Sequence, residues 1–112
     1  MLKKENRLTK KKDFELLFKE GKSVKQSFLY LKYKENNLEV NRFGIIVGKN
    51  FSKKAVERNK TRRRIREALR KRAVEIKQGF DIAIVVTPGA DNDYENLDKE
   101  IAGLLEKSKL AG

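Results

Sequence analysis

Arg58-Asn59, Arg62-Arg63 and Arg66 lie within KKAVERNKTRRRIREALRKR, residues 53–72. A guanidinium is a planar, permanently charged fork that grips two phosphate oxygens at once, so arginines repeated along one helix suit a phosphate-rich polymer. The charge is concentrated there. Residues 49–72 hold 12 bases and 2 acids and residues 1–12 hold 6 bases and 1 acid, in a chain of 112 residues with net charge +12. These two segments exceed the total between them, which defines a patch rather than a general bias.

Other chemistries are poorly provided for. The chain has no histidine, the commonest general base and imidazole ligand, and no cysteine for disulfides or thiolate zinc sites. Its acids are scattered, and the densest group (Asp91, Asp93, Glu95, Asp98) opens a predicted helix, where the dipole accounts for it. No catalytic residue and no metal site are assigned to the protein. MLKKENRLTKKKDF has charges with no apolar run behind them, and no stretch of about 18 apolar residues exists. The expectation is a soluble, cytoplasmic protein that does not engage membranes.

The length suits one domain with one core, preceded by a basic mobile arm over 1–8. Thr9 is a candidate cap for a helix over 10–20, with Phe14, Leu17 and Phe18 on one face and Gly21 as its stop. Lys10, Lys11 and Lys12 oppose the dipole of its first turn, which makes sense beside an anion. A short strand is predicted over 23–25, then strands over 27–35 and 39–48 joined at Asn36-Asn37 as an antiparallel hairpin. A helix follows from 55 to 77, closed by Gly79. FDIAIVVT, residues 80–87, is apolar almost throughout, as a strand buried on both faces must be. Asn92 with Glu95 forms a capping box for a last helix, whose stripe is Tyr94, Leu97, Ile101, Leu104 and Leu105. The order α-β-β-β-α-β-α gives one layer of mixed four-stranded sheet carrying helices.

At 100° per residue, Ile65, Leu69, Arg72 and Ile76 share one azimuth of the arginine helix, flanked by Ala68 and Ala73. That is the core stripe, with Arg72 laying its stem over the edge. Asn59, Arg63, Arg66 and Arg70 form a second stripe about a third of a turn away, and Lys60, Arg64 and Lys71 line its far flank. Arg58 shares the core azimuth and must project ahead of the packed part. Glu57 and Glu67 are too few to neutralise such a row, which is unfavourable alone and favourable against a polyanion.

KAVERNKTRRRIRE, residues 54–67, resembles the "RNR" motif of the bacterial ribonuclease P protein subunit. Leu8, Asp13, Phe14, Phe18 and Gly21 resemble that family's first helix, and Gly79-Phe80-Asp81-Ile82 its last strand, so the likeness runs over residues 7–105 in order. It implies an α/β (α+β) two-layer sandwich, similar to a ribosomal-protein domain, with a left-handed strand–helix–strand crossover. The implied activity is removal of the 5′ leader of precursor tRNA by a partner RNA using Mg²⁺, one protein per RNA. By the resemblance, the motif helix and its loop bind the catalytic RNA through Lys53, Lys54, Arg58, Asn59, Arg62, Arg63, Arg66 and Arg70. The single-stranded leader lies between the first helix and the sheet, against Lys10, Lys11, Lys12, Phe14, Phe18 and a strand tyrosine. That tyrosine is Tyr30 or Tyr33, with Tyr33 preferred. Ser52-Lys53-Lys54 departs from the family's usual Gly-Asn or Gly-Lys. Weighed against this reading are a stand-alone nuclease, which needs clustered carboxylates or a histidine, a general RNA binder, and a DNA or acidic-membrane binder.

Overall fold

The structure, a computed structural model, describes residues 4–90 and 93–110. The elements are α1 (Lys11–Glu20), β1 (Lys22–Gln26), β2 (Leu29–Glu35), β3 (Arg42–Val47), α2 (Ala55–Arg72), β4 (Phe80–Val86) and α3 (Tyr94–Ser108). Short 3₁₀ turns precede α1 (Lys4–Asn6) and follow α2 (Ala73–Glu75).

The sheet runs β1-β2-β4-β3. β4 lies antiparallel to β2 and parallel to β3, so β2 and β3 are not neighbours and the hairpin expected at Asn36-Asn37 does not exist. The reason lies in β4 itself. A strand apolar on both faces is most stable with a strand on either side and a layer above and below. The turn after β2 crosses the end of β4 instead: the Asn36 N–H donates to the Gly79 carbonyl at 2.9 Å, and its side-chain amide to Val40 O at 3.1 Å. The real hairpin joins β1 to β2 through Ser27 and Phe28, with Ser27 at φ 56°.

Strand alternation separates two apolar layers. Leu29, Leu31, Phe43, Ile82, Ile84 and Val86 face α2 and α3, meeting Ile65, Ala68, Leu69, Leu97, Ile101, Leu104 and Leu105. The predicted stripes are therefore buried, with Arg72 and Tyr94 only partly so. On the other face Ala83 meets Leu8 and Leu17, with Phe14 and Phe18 packed alongside. At about 25 cal/mol per Å², each fully buried Leu or Ile contributes roughly 2 kcal/mol.

Several local expectations are corrected. The last turn before α1 is at Lys10, with no side-chain cap, so Thr9 does not cap the helix. The segment before α1 is no free arm from residue 4 on: Leu8 is buried, its N–H bonds Phe43 O at 2.8 Å, and Asn6 donates to Asn41 O. α2 stops at Arg72, short of 77. Asn92 lies outside the described residues, and the Asp93 side chain accepts the Asn96 N–H at the start of α3.

Arg72 does more than drape over the core edge. It donates through Nε and Nη2 to Asp98 at 3.2 and 2.9 Å and so clamps α2 to α3. That hydrogen bond holds the Asp98 carboxyl below its ordinary value of 3.8. A depressed carboxylate stabilises the fold above its unfolded pKa and loses that contribution as pH falls through the folded one. Asp98→Asn should cost about 1–2 kcal/mol at neutral pH. Urea titrations should show the gap to wild type closing as pH drops below 3.8.

Candidate nucleic-acid interface

The α2 arginines do not all serve one purpose. Arg58 Nη1 donates to Ser52 O at 2.9 Å, and Arg62 Nη2 to Val47 O at 3.2 Å. Arg62 also holds Asn59 Oδ1 at 2.8 Å. Arg58 therefore folds back on its own loop rather than projecting ahead of the helix. Together the two arginines fix the loop over 48–54 against the start of α2. Ser52 completes the entry, its Oγ accepting the Lys54 N–H and donating to Glu57 Oε2 at 2.6 Å. This compensates in part for a helix whose cap residue, Lys54, offers no side-chain acceptor.

Arg70 pairs with Glu67 one turn back, and its hydrogen bond holds the Glu67 carboxyl below its ordinary range. Arg63 and Arg66 differ: among the described residues neither side chain has an intramolecular hydrogen bond or ion pair. Their guanidinium groups remain available to an external anion. Lys53, Lys54, Lys60 and Lys71 are exposed around them.

The second surface is built by α1 on the opposite face of the sheet. Phe14 lies directly on Gly44 of β3, where an added Cβ would come within 2.4 Å of the ring. Phe18 is half-buried, with the Lys32 ammonium 5.6 Å from its ring centroid. Lys34 reaches Glu20 at 4.0 Å. Alternation along β2 thus puts Tyr30, Lys32 and Lys34 on the α1 side. Tyr33 is on the other face, partly buried in the main core, its ring 6.4 Å from that of Phe80. The preference for Tyr33 beside Phe14 and Phe18 is corrected: Leu29, Leu31 and Tyr33 share one pleat face, and only Tyr30 can join the α1 group. Lys10, Lys11 and Lys12 are exposed at the start of α1, with Lys11 at 3.9 Å from Glu15.

The two surfaces meet around the β3 edge. Arg66 from α2 and Phe14 from α1 line one depression of about 320 Å³, together with Leu8 and Gly44. That continuity was not visible in the sequence.

Sequence reasoning also missed the group that fixes α1. Arg42 grips Asp81 bidentately, Nε to Oδ1 at 2.8 Å and Nη2 to Oδ2 at 2.7 Å, and reaches Asp13 of α1 through Nη1 at 3.2 Å. Asn36 donates to the same Asp81 Oδ1 at 3.0 Å. The Asp81 hydrogen bond raises the pKa of Arg42 despite the opposing effect of burial. The signal was present: an aspartate inside an apolar strand requires a buried partner. Buried Asn41 accepts the Phe80 N–H and donates to Lys77 O, both at 2.8 Å.

Among the described residues no group of three or more acidic side chains is placed to hold a metal ion, and no helix is long and apolar enough to cross a membrane.

An open mixed sheet with three helices and two joined basic surfaces defines an α+β protein suited to binding a polyanion. The chain belongs to the ribonuclease P protein family, whose description, Ribonuclease P, matches residues 2–109. It is 37% identical over 92 residues to the ribonuclease P protein component of Thermotoga maritima, covering 82% of this chain and 78% of that one. Over 112 residues it is 33% identical to the component from a Pseudanabaena species, covering 98% and 97%. Among solved structures, the Staphylococcus aureus RNase P protein superposes with a TM-score of 0.87 at 27% identity, covering 96% and 98%. The Thermotoga maritima protein gives 0.80 at 31% identity, covering 90% and 96%.

Gly44→Ala should force the Phe14 ring off the sheet, because the new methyl takes the ring's place. Thermal unfolding should report a loss of about 1–3 kcal/mol.

Proposed function

We propose that this chain is the protein subunit of a ribonuclease P ribonucleoprotein, aiding removal of the 5′ leader from precursor tRNA while the partner RNA performs the hydrolysis. The observation that carries the reading is the pair of uncommitted guanidinium groups, Arg63 and Arg66, on a helix whose other arginines are occupied within the protein. Two like charges held near each other without a partner are favourable only where phosphates surround them.

Arg63, Arg66, Lys53 and Lys54 contact the catalytic RNA in this reading, with Arg70 beside them released from Glu67 to join them, while Arg58, Asn59 and Arg62 shape the loop that presents them. The leader, which has no fixed sequence, runs along α1, where Phe14, Phe18 and Tyr30 offer ring faces and Lys10, Lys11 and Lys12 neutralise phosphates. Stacking and phosphate contacts accept any base, which suits such a substrate. Catalytic Mg²⁺ belongs to the RNA. The protein's part is to lower phosphate repulsion around the substrate, so that RNA-held ions bind more tightly. One protein pairs with one RNA, in the cytoplasm. A chain without histidine or cysteine supports this division of labour.

Reconstitution with the cognate RNA tests the reading. Affinity should fall steeply with salt, and Arg63→Ala or Arg66→Ala should each weaken assembly by ~1–3 kcal/mol with an unchanged melting temperature. Arg58→Ala should lower the melting temperature as well, because the Ser52 carbonyl loses its donor. Shortening the leader should reduce precursor affinity only when protein is present. Cleavage of precursor tRNA by protein alone, or wild-type assembly by both Arg63 and Arg66 variants, would overturn it.

A further inference from the structure

A pocket of about 380 Å³ opens on the face of the sheet away from α1, where β1, β2, β4 and the end of α3 meet. Its apolar part is the Tyr33–Phe80 ring pair, both rings half-buried. Lys22, Lys77, Lys107 and Lys109 surround the rings, against a single carboxylate, Glu35. Among the described residues none of these four ammonium groups forms an ion pair, and Lys107 is turned to the Lys25 carbonyl at 2.8 Å.

The position of Lys109 is informative. It ends α3 in the left-handed region, φ 63° and ψ 22°, with its N–H on the Glu106 and Leu105 carbonyls. The next N–H, of Leu110, returns to Leu105 O at 3.1 Å, and Leu110 O accepts the Lys77 N–H at 2.7 Å. Glycine is the residue this turn favours, since a Cβ is strained there. A lysine in that place adds a fourth cation to a pocket already crowded with three, at a cost in backbone strain. Strain retained beside a cluster of like charges points to a ligand.

We infer that this pocket is a second binding site for single-stranded RNA, in which a phosphodiester meets Lys22, Lys77 and Lys109 while a base rests on the Tyr33–Phe80 pair. It shares no residue with the α1 and α2 surfaces. The rings favour a polynucleotide over an acidic peptide, because every base offers a π-face to stack and a glutamate side chain offers none.

The test is an amide chemical-shift titration of the full-length ¹⁵N-labelled protein with a uridine hexanucleotide at low salt. Lys77, Gly79, Lys109 and Leu110 should show saturable shifts. The double variant Lys77→Gln with Lys109→Gly should weaken that local affinity roughly five-fold, and leave the shifts in α1 and α2 as they were. The single change Lys109→Gly should keep or raise the melting temperature, so lost binding cannot come from lost structure. Unmoved pocket amides, an unaltered titration of the double variant, or equal affinity for inorganic phosphate or a glutamate hexamer would each overturn the inference. Absence of shifts at α1 and α2 alone would count against the ribonuclease P reading and leave this one standing.

Discussion

The carboxylate of Asp81 is the constraint around which this molecule is arranged. It sits in the central strand, 7% exposed, where an uncompensated charge would cost several kcal/mol. Arg42 neutralises it from the neighbouring strand in matched register, and the spare Nη1 of that arginine reaches Asp13 on α1. Asn36 binds the same carboxylate from the turn after β2. One buried charge thereby ties together two strands, the turn that crosses their end, and the helix that carries Phe14 and Phe18.

A division of the cationic side chains follows the same logic. Arg42, Arg58, Arg62 and Arg72 spend their directional donors on carbonyls and carboxylates of the protein. Arg63 and Arg66 do not, although they lie on the same helix as Arg58, Arg62 and Arg72. Net charge therefore overstates how many groups face a partner, and the geometry of each guanidinium decides which side of the boundary it serves. Arg66 matters further because it shares a hollow with Phe14, making two basic surfaces one continuous path around β3.

Much of this was legible in residue order. The Ile65–Leu69 and Leu97–Ile101–Leu104 stripes are periodic enough to name their helices and buried faces, and FDIAIVV announced a strand covered on both sides. The neighbours of that strand were not readable, because Asn36-Asn37 looks the same whether the chain turns back on β2 or crosses over β4. Only the Asn36 bonds to Val40, Gly79 and Asp81 distinguish the two. The tyrosine was within reach: Leu29, Leu31 and Tyr33 alternate with Lys32 and Lys34, and applying that alternation strictly would have set Tyr33 among the leucines. The roles of Arg58 and Arg62 were beyond reach, since a donor aimed at a backbone carbonyl leaves no mark in sequence spacing.

The strand order has a consequence for how the chain is made. β4, which occupies the middle of the sheet, is the last of the four strands to be synthesised. Until residue 86 has emerged from the ribosome, the β1–β2 hairpin and β3 stay apart, each with an unpaired edge. Closing the sheet then demands two distant partners at once, a non-local step that is slow by nature. Nascent chains interrupted before that point expose two sticky borders, and the densely charged stretch encoded between β3 and β4 keeps those incomplete products apart by mutual repulsion.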